Sequence, residues 1–256
     1  MSQESVGLAT GLHGISSVEN AIIVDSLDVF KGIKKGLERI HGGEQEGLPG
    51  FRSIVGTHLG LHLIITLIPP YPAAIAETLM ELFVFGVRRA IVITSGYRLR
   101  KNIDENSILI VQGSVPLDGV SKRIAGEGLP LLASQDLLTL AKNVIDVRFS
   151  NFERYIGFSV TIDSPRLPWA YSDVEEYIGA RGVVAVDSIA APAYALQYMY
   201  PRLDVLVLAT LNRYFTPSTS PASQTYESYA RVLDQEKRNK SILYLVALEM
   251  FKGLEV

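Results

Sequence analysis

No cysteine occurs among the 256 residues, which excludes disulfides, thiol nucleophiles and cysteine-ligated metals together. An excess of charge of either sign is missing too: 24 Lys and Arg stand against 27 Asp and Glu, a formal charge of -3. That balance supplies no basic footprint, so a small molecule is the expected partner and nucleic acid is not. The opening residues, MSQESVGLATGLHG, lack a basic start followed by an apolar run. They do not read as a secretory signal, and a cytoplasmic setting is expected. Linkers, internal repeats and low-complexity tracts are absent as well, so residues 1–256 read as a single domain.

Charge is also missing locally. From Ser53 to Ala76 there is no Asp, Glu, Lys or Arg, a stretch as long as the roughly 20 residues needed to span a bilayer. Pro69, Pro70 and Pro72 interrupt any helix there, His58 and His62 add polarity, and Glu77 and Glu81 follow at once. The stretch therefore reads as strands and a turn, with no membrane as partner.

What is abundant is apolar surface: 48% of residues are hydrophobic and the mean hydropathy is +0.21, which suits a sheet buried on both faces with room for a subunit interface. Short continuous apolar runs mark strands at Ala21–Val24, Arg52–Gly56, Leu61–Ile68, Ala90–Thr94, Ser107–Val111, Tyr155–Thr161, Val183–Asp187 and Val205–Leu211. Helices are expected at Phe30–Ile40, Ala73–Phe85, Gln135–Val144, Val174–Gly179, Ile189–Met199 and from Pro221, capped by Ser220, to about Lys252. Within the last of these, Asp234 to Lys240 holds no apolar residue and reads as a solvated turn. The alternation of elements predicts an α/β fold, a three-layer α/β/α sandwich around a mixed, largely parallel sheet.

Several chemistries lack their residues. His58 and His62 have the spacing of a helical zinc site, but the surrounding THLGLHLIITLI is β-branched and no glutamate follows His58, so no metal is expected. Gly126-Glu127-Gly128 runs into Leu-Pro without a third glycine, which does not make a dinucleotide site. Ser95 has no G-x-S-x-G frame, so it does not read as a hydrolase nucleophile.

The most informative stretch runs from Pro69 to Gly96, PPYPAAIAETLMELFVFGVRRAIVITSG. It reads as a proline turn, an amphipathic helix, a Gly86 stop and a buried strand that delivers Thr94 and Ser95 to a carboxyl edge, where parallel sheets keep ligands. Its second half, continued as FGVRRAIVITSGYRLRKNIDENSILI, together with GVVAVDSIAAPAYAL (182–196) and VLVLATLNRY (205–214), resembles the corresponding segments of the purine nucleoside and uridine phosphorylases, in order and spacing, over nearly the whole chain. The resemblance implies phosphorolysis of a purine nucleoside or uridine to free base and ribose 1-phosphate, with inorganic phosphate as co-substrate and no cofactor. It also implies self-association to a dimer, trimer or hexamer whose neighbours complete each pocket.

By position, the same resemblance places phosphate at Lys31, Thr94 and Ser95, the ribose at Asp187, and the base at Asn212, with Ser95 and Asn212 serving catalysis. Phe158 and Trp169 fall where the family has base-stacking or lid aromatics. Departures from the family pattern concentrate at the anion and ribose positions: Leu27 replaces a glycine, Lys31 and Val92 replace arginines, and Ile189 replaces a glutamate. Arg98, Arg100, Lys101 and Arg213 are the nearby cations able to compensate. Without its arginines a site loses bidentate anion binding, and isoleucine accepts no hydroxyl hydrogen bond. Three readings follow: a phosphorylase with a remodelled pocket, a hydrolytic nucleosidase, or a nucleoside-binding or structural oligomer of the same fold. From the residues alone, Asp187 reads equally as a helix cap, Asn212 as a turn residue and Phe158 as core.

Overall fold

The computed structural model describes residues 7–13, 18–126, 129–165, 170–180, 182–215 and 226–254. The strands are β1 (Asn20–Val24), β2 (Arg39–Glu46), β3 (Arg52–His58), β4 (Leu61–Leu67), β5 (Arg89–Arg98), β6 (Ile108–Pro116), β7 (Leu131–Leu132), β8 (Arg154–Thr161), β9 (Val183–Asp187) and β10 (Asp204–Tyr214). The helices are α1 (Leu27–Gly36), α2 (Pro72–Val84), α3 (Gly119–Ala125), α4 (Gln135–Arg148), α5 (Ala170–Val174), α6 (Ala190–Met199) and α7 (Tyr226–Leu254), with a short 3₁₀ turn at Glu175–Tyr177.

All ten strands join one mixed sheet in the order β2-β3-β4-β1-β5-β9-β8-β6-β10, with β7 attached to β6. Strand β10 also pairs with β5, so β5, β9, β8, β6 and β10 close on themselves while β1 to β4 extend as an open wing. Parallel pairs form the centre (β4–β1–β5–β10) and the β6–β8–β9 run, and antiparallel pairs join them and build the wing. Helices α1, α4 and α7 pack together on one side and α2, α3 and α6 on the other. This is the expected three-layer arrangement, and the continuous apolar strands are its cause: NAIIV of β1 and VVAVD of β9 are buried at every position because helices cover both faces.

Local chemistry sets the ends that matter for the cleft. Ser26 caps α1 by accepting from the Val29 N–H, Asp28 sits in its first turn, and Lys34 and Lys35 in its last, each placed as the helix dipole favours. Pro72 opens α2 after an extended Tyr71, and Gly86, at φ 102°, ends it in the left-handed conformation that costs glycine nothing. Strand β5 then follows at once.

Three expectations are corrected. The helix expected over Phe30–Ile40 stops at Gly36, because the Glu38 N–H goes to the Thr57 carbonyl and the chain turns into β2, a largely exposed edge strand. Gly56 permits that approach, since a side chain there would lie 2.8 Å from the Arg39 carbonyl. The Val174–Gly179 helix is instead α5 followed by the 3₁₀ turn. The turn Asp234–Lys240 is solvated only in part: Asp234, Lys237 and Arg238 are exposed, but Asn239 is 5% exposed and Lys240 only 3%. The proposed Ser220–Pro221 cap and Trp169 lie outside the described residues.

Two apolar clusters hold the layers. The larger runs through the open wing and both helical layers, and a smaller one, with Leu99, Val160, Val186 and Phe215, fills the neighbourhood of the β8–β9 junction. His58 and His62 sit on a β hairpin, one edge-on to Tyr244 and the other to His41. Among the described residues, no cluster of three or more metal-binding side chains occurs, and no helix is long and apolar enough to cross a membrane.

Candidate functional site

The carboxyl ends of β1, β5, β9 and β10 meet at one edge of the sheet, because β1 and β10 run parallel to β5 and the tip of β5 meets β9 at Tyr97–Val186. A cleft of about 400 Å³ opens there. Its floor comes from Asp25 and Ser26 after β1, Thr94, Ser95 and Tyr97 of β5, and Arg213 of β10. Ser188 and Ile189, between β9 and α6, form one wall, while Leu233, Glu236 and Lys240 of α7 form the opposite one.

The floor and α7 are joined by charge. Lys240 Nζ lies 2.5 Å from Asp25 Oδ1 and 3.0 Å from Glu236 Oε1, one helical turn away. Thr94 Oγ1 donates to the other oxygen of Asp25 at 2.8 Å. Ser95 Oγ donates to Glu236 Oε1, and Arg213 Nη2 donates to Glu236 Oε2 at 3.1 Å. The Lys240 and Asp25 side chains are 3% and 6% exposed, and that of Glu236 is 13% exposed.

Burial pushes the Glu236 carboxyl up, but the Lys240 ammonium, the Ser95 hydroxyl and the Arg213 guanidinium outweigh it and hold the group below its ordinary value. Burial likewise pulls Lys240 down, and the carboxylates of Asp25 and Glu236 reverse this, leaving the ammonium above its ordinary value. Both groups are therefore charged at neutral pH. Among the described residues of the cleft, two acids and two bases, Asp25 and Glu236 against Lys240 and Arg213, sum to neutral.

Of the residues expected at the site, Thr94 and Ser95 line the cleft. Lys31 is on an exposed position of α1 and does not line it. Asp187 is 2% exposed and lies just behind the wall, where its Oδ1 accepts from the Ile189 N–H at 2.7 Å, the Ala190 N–H at 2.8 Å and Thr161 Oγ1 at 2.8 Å. Burial raises this carboxyl, and the Ala190 and Ile189 amides with the Ser159 and Thr161 hydroxyls offset that only in part. In the structure Asp187 thus caps α6. Asn212, 4% exposed, donates through Nδ2 to the Glu105 carbonyl at 2.8 Å. Phe158 packs half-buried against the smaller apolar cluster. Neither Asn212 nor Phe158 lines the cleft.

Among the four candidate compensating cations, Arg213 reaches the cleft. Arg98 and Arg100 donate instead to the Ile103 and Ala180 carbonyls, and Lys101 lies over the Tyr214 ring. Sequence reasoning missed Asp25, Glu236 and Lys240. A signal for the last two was present: positions 236, 240, 243, 247 and 251 fall on one helical stripe, and the last three are Leu243, Ala247 and Phe251, all fully buried. Charged residues in phase with a core stripe mark a buried polar site, whatever the composition of the turn around them.

No family model matches the sequence, and no curated protein matches it significantly. Solved structures do match. Uridine phosphorylase from Vibrio fischeri ES114 complexed with 6-hydroxy-1-naphthoic acid is 15% identical and superimposes with a TM-score of 0.79 over 93% of this chain and 92% of that one. A second structure of the same enzyme, described without that compound, gives a TM-score of 0.78 over 92% of this chain and 94% of that one, also at 15% identity. The chain therefore has the nucleoside phosphorylase fold, and at this identity the likeness concerns the fold alone.

Proposed function

We propose that this protein is a divergent member of the nucleoside phosphorylase superfamily that binds an uncharged nucleoside in the cleft between the strand edge and α7. The charge balance of that cleft carries the reading. Each of Asp25, Glu236, Lys240 and Arg213 already faces an opposite charge, so a neutral ligand enters without disturbing them, whereas phosphate beside Glu236 meets like charge. The volume of about 400 Å³ falls within the usual range for small-molecule sites, roughly 300 to 1,000 Å³. Hydroxyls on Ser95 and Ser188 can meet a sugar, and Tyr97 supplies apolar wall for a base, with Thr94 and Ile189 fully buried behind them.

The same residues support divergence from a phosphate-using site. Leu27 is exposed in the first turn of α1, Val92 is sealed in the sheet and Ile189 occupies the wall beside Ser188. Phosphorolysis of a purine nucleoside or uridine is the second reading, favoured by the Ser95, Lys240 and Arg213 donors, and it requires phosphate to displace Glu236. A cytoplasmic homo-oligomer belongs to both readings, and sedimentation of the purified chain tests its self-association.

The test of function is titration calorimetry with uridine, inosine and adenosine, beside base release measured with and without phosphate. Nucleoside binding without base release in either condition is expected. Phosphate-dependent release would establish phosphorolysis, phosphate-independent release would establish hydrolysis, and absence of any nucleoside binding would overturn the reading.

A further inference from the structure

Three donors from three separate elements converge on the single carboxylate of Glu236: Ser95 Oγ from β5 and Lys240 Nζ from α7 on Oε1, and Arg213 Nη2 from β10 on Oε2. An ordinary helical Glu–Lys pair uses one cation and leaves the carboxylate facing water. Here the carboxylate is taken into the fold, at a side-chain exposure of 13%, and both of its oxygens are engaged by groups that also bind oxyanions. Asp25, held by Thr94 Oγ1 and Lys240, keeps the lysine in place from the other side.

We infer that Glu236 is the built-in occupant of an oxyanion site. Its carboxylate holds Ser95, Lys240 and Arg213 in the arrangement that a small oxyanion of the inorganic phosphate class would take, and competes with such an anion for them. The inference rests on reading the cleft as the ligand site. Its physical basis is the local charge count. Without Glu236, Lys240 and Arg213 are left with the single carboxylate of Asp25 among the described charged residues of the cleft, so that set changes from neutral to net positive. The groups that lose this one partner are a hydroxyl, an ammonium still held by Asp25 and a guanidinium, all donors suited to charge-assisted bonds with phosphate oxygens. Space is already present, since the carboxylate borders a cleft of about 400 Å³ rather than a packed core. In the intact chain an anion must displace a tethered carboxylate present at high effective concentration, so the site is closed to phosphate by the protein's own side chain.

The experiment compares the full-length chain with its Glu236→Ala variant, titrated with inorganic phosphate in a calorimeter and followed by thermal unfolding, with chloride at matched ionic strength as control. At least tenfold tighter phosphate binding by the variant is expected, together with an unfolding temperature that climbs with phosphate concentration. Adding Ser95→Ala should remove most of that gain. Should Glu236→Ala fold poorly, the same phosphate series during refolding raises its folded fraction and chloride does not. The inference is overturned if phosphate gives no specific gain in either readout, or if the unaltered chain binds phosphate as tightly as the variant. Nucleoside titration of the unaltered chain is scored separately: its failure sinks the nucleoside reading and leaves the phosphate result standing, and the converse holds.

Discussion

Glu236, largely buried, and Asp187, fully buried, are carboxylates at the same end of the sheet, one surrounded by cations and a hydroxyl and the other by backbone amides and hydroxyls. On the α7 side the surroundings favour the charged carboxylate, and its proton affinity falls. At the β9–α6 corner burial dominates, and the proton affinity rises. The difference teaches that burial at a strand end does not define a functional acid. What the neighbours donate decides whether a carboxylate organises a cleft or finishes a helix.

The strongest way to break this contrast is Lys240→Ala. It leaves Asp25 and Glu236 buried without their shared cation, and loss of about 3–5 kcal/mol in denaturant unfolding is expected, as when one partner of a buried pair is removed. Asp187→Ala should cost less, about 2 kcal/mol, the scale of a lost cap with an unpaired buried donor. Asp187→Asn should fall below that, since a neutral acceptor still serves the amides; an Asn variant as damaged as the Ala variant would show that the charge itself matters there.

The pH dependence sharpens the contrast by smaller steps. Glu236, lowered from 4.5 in the folded state, contributes stability that is complete above 4.5 and is lost as pH falls through its folded value. Lys240, raised from 10.5, contributes below 10.5 and loses that contribution as pH rises through its folded value. Asp187, raised from 3.8, acts in the opposite sense to Glu236: stability is gained as pH falls from its folded value towards 3.8. Glu236→Gln should therefore flatten the acid limb of a stability–pH curve, and Asp187→Asn should steepen it. The smallest effect belongs to Asn212→Ala, which removes the bond to the Glu105 carbonyl for about 1 kcal/mol and should leave nucleoside affinity within about twofold, under 0.5 kcal/mol. Loss of binding would instead bring the base to Asn212.

Much of the framework was legible because its signals are local. The PPYP turn, the Pro72 start, the Gly86 stop and the fully apolar strands need only propensity and burial, and all are present. Strand β2 was not legible: RIHGGEQE is polar and lies at the sheet edge, so neither burial nor alternation marks it. Thr94 and Ser95 could be placed at the cleft because a strand end fixes its own last residues. Asp25 and Arg213 reach it through pairings with β5 across the sheet, and Glu236 and Lys240 through the docking of a distant helix. The turn DQEKRNK looks solvated by composition, and only its phase against Leu243 and Ala247 shows that Glu236 and Lys240 turn inward while Asp234, Lys237 and Arg238 stay exposed.

Strand β5 has a mechanical consequence. Its residues Arg89 to Ile93 lie between β1 and β10, Thr94 and Ser95 pair with β10 alone, and Tyr97 and Arg98, two and three residues beyond Ser95, pair with β10 on one side and β9 on the other and complete the closed ring. The cleft floor is thus the seam of that ring, and spreading it would break backbone ladders on both sides at once. Compliance is left to the helical wall, so ligands that differ in bulk should be accommodated by the seating of α7 while the strand edge keeps its spacing, much as a hinged jaw closes on a fixed anvil.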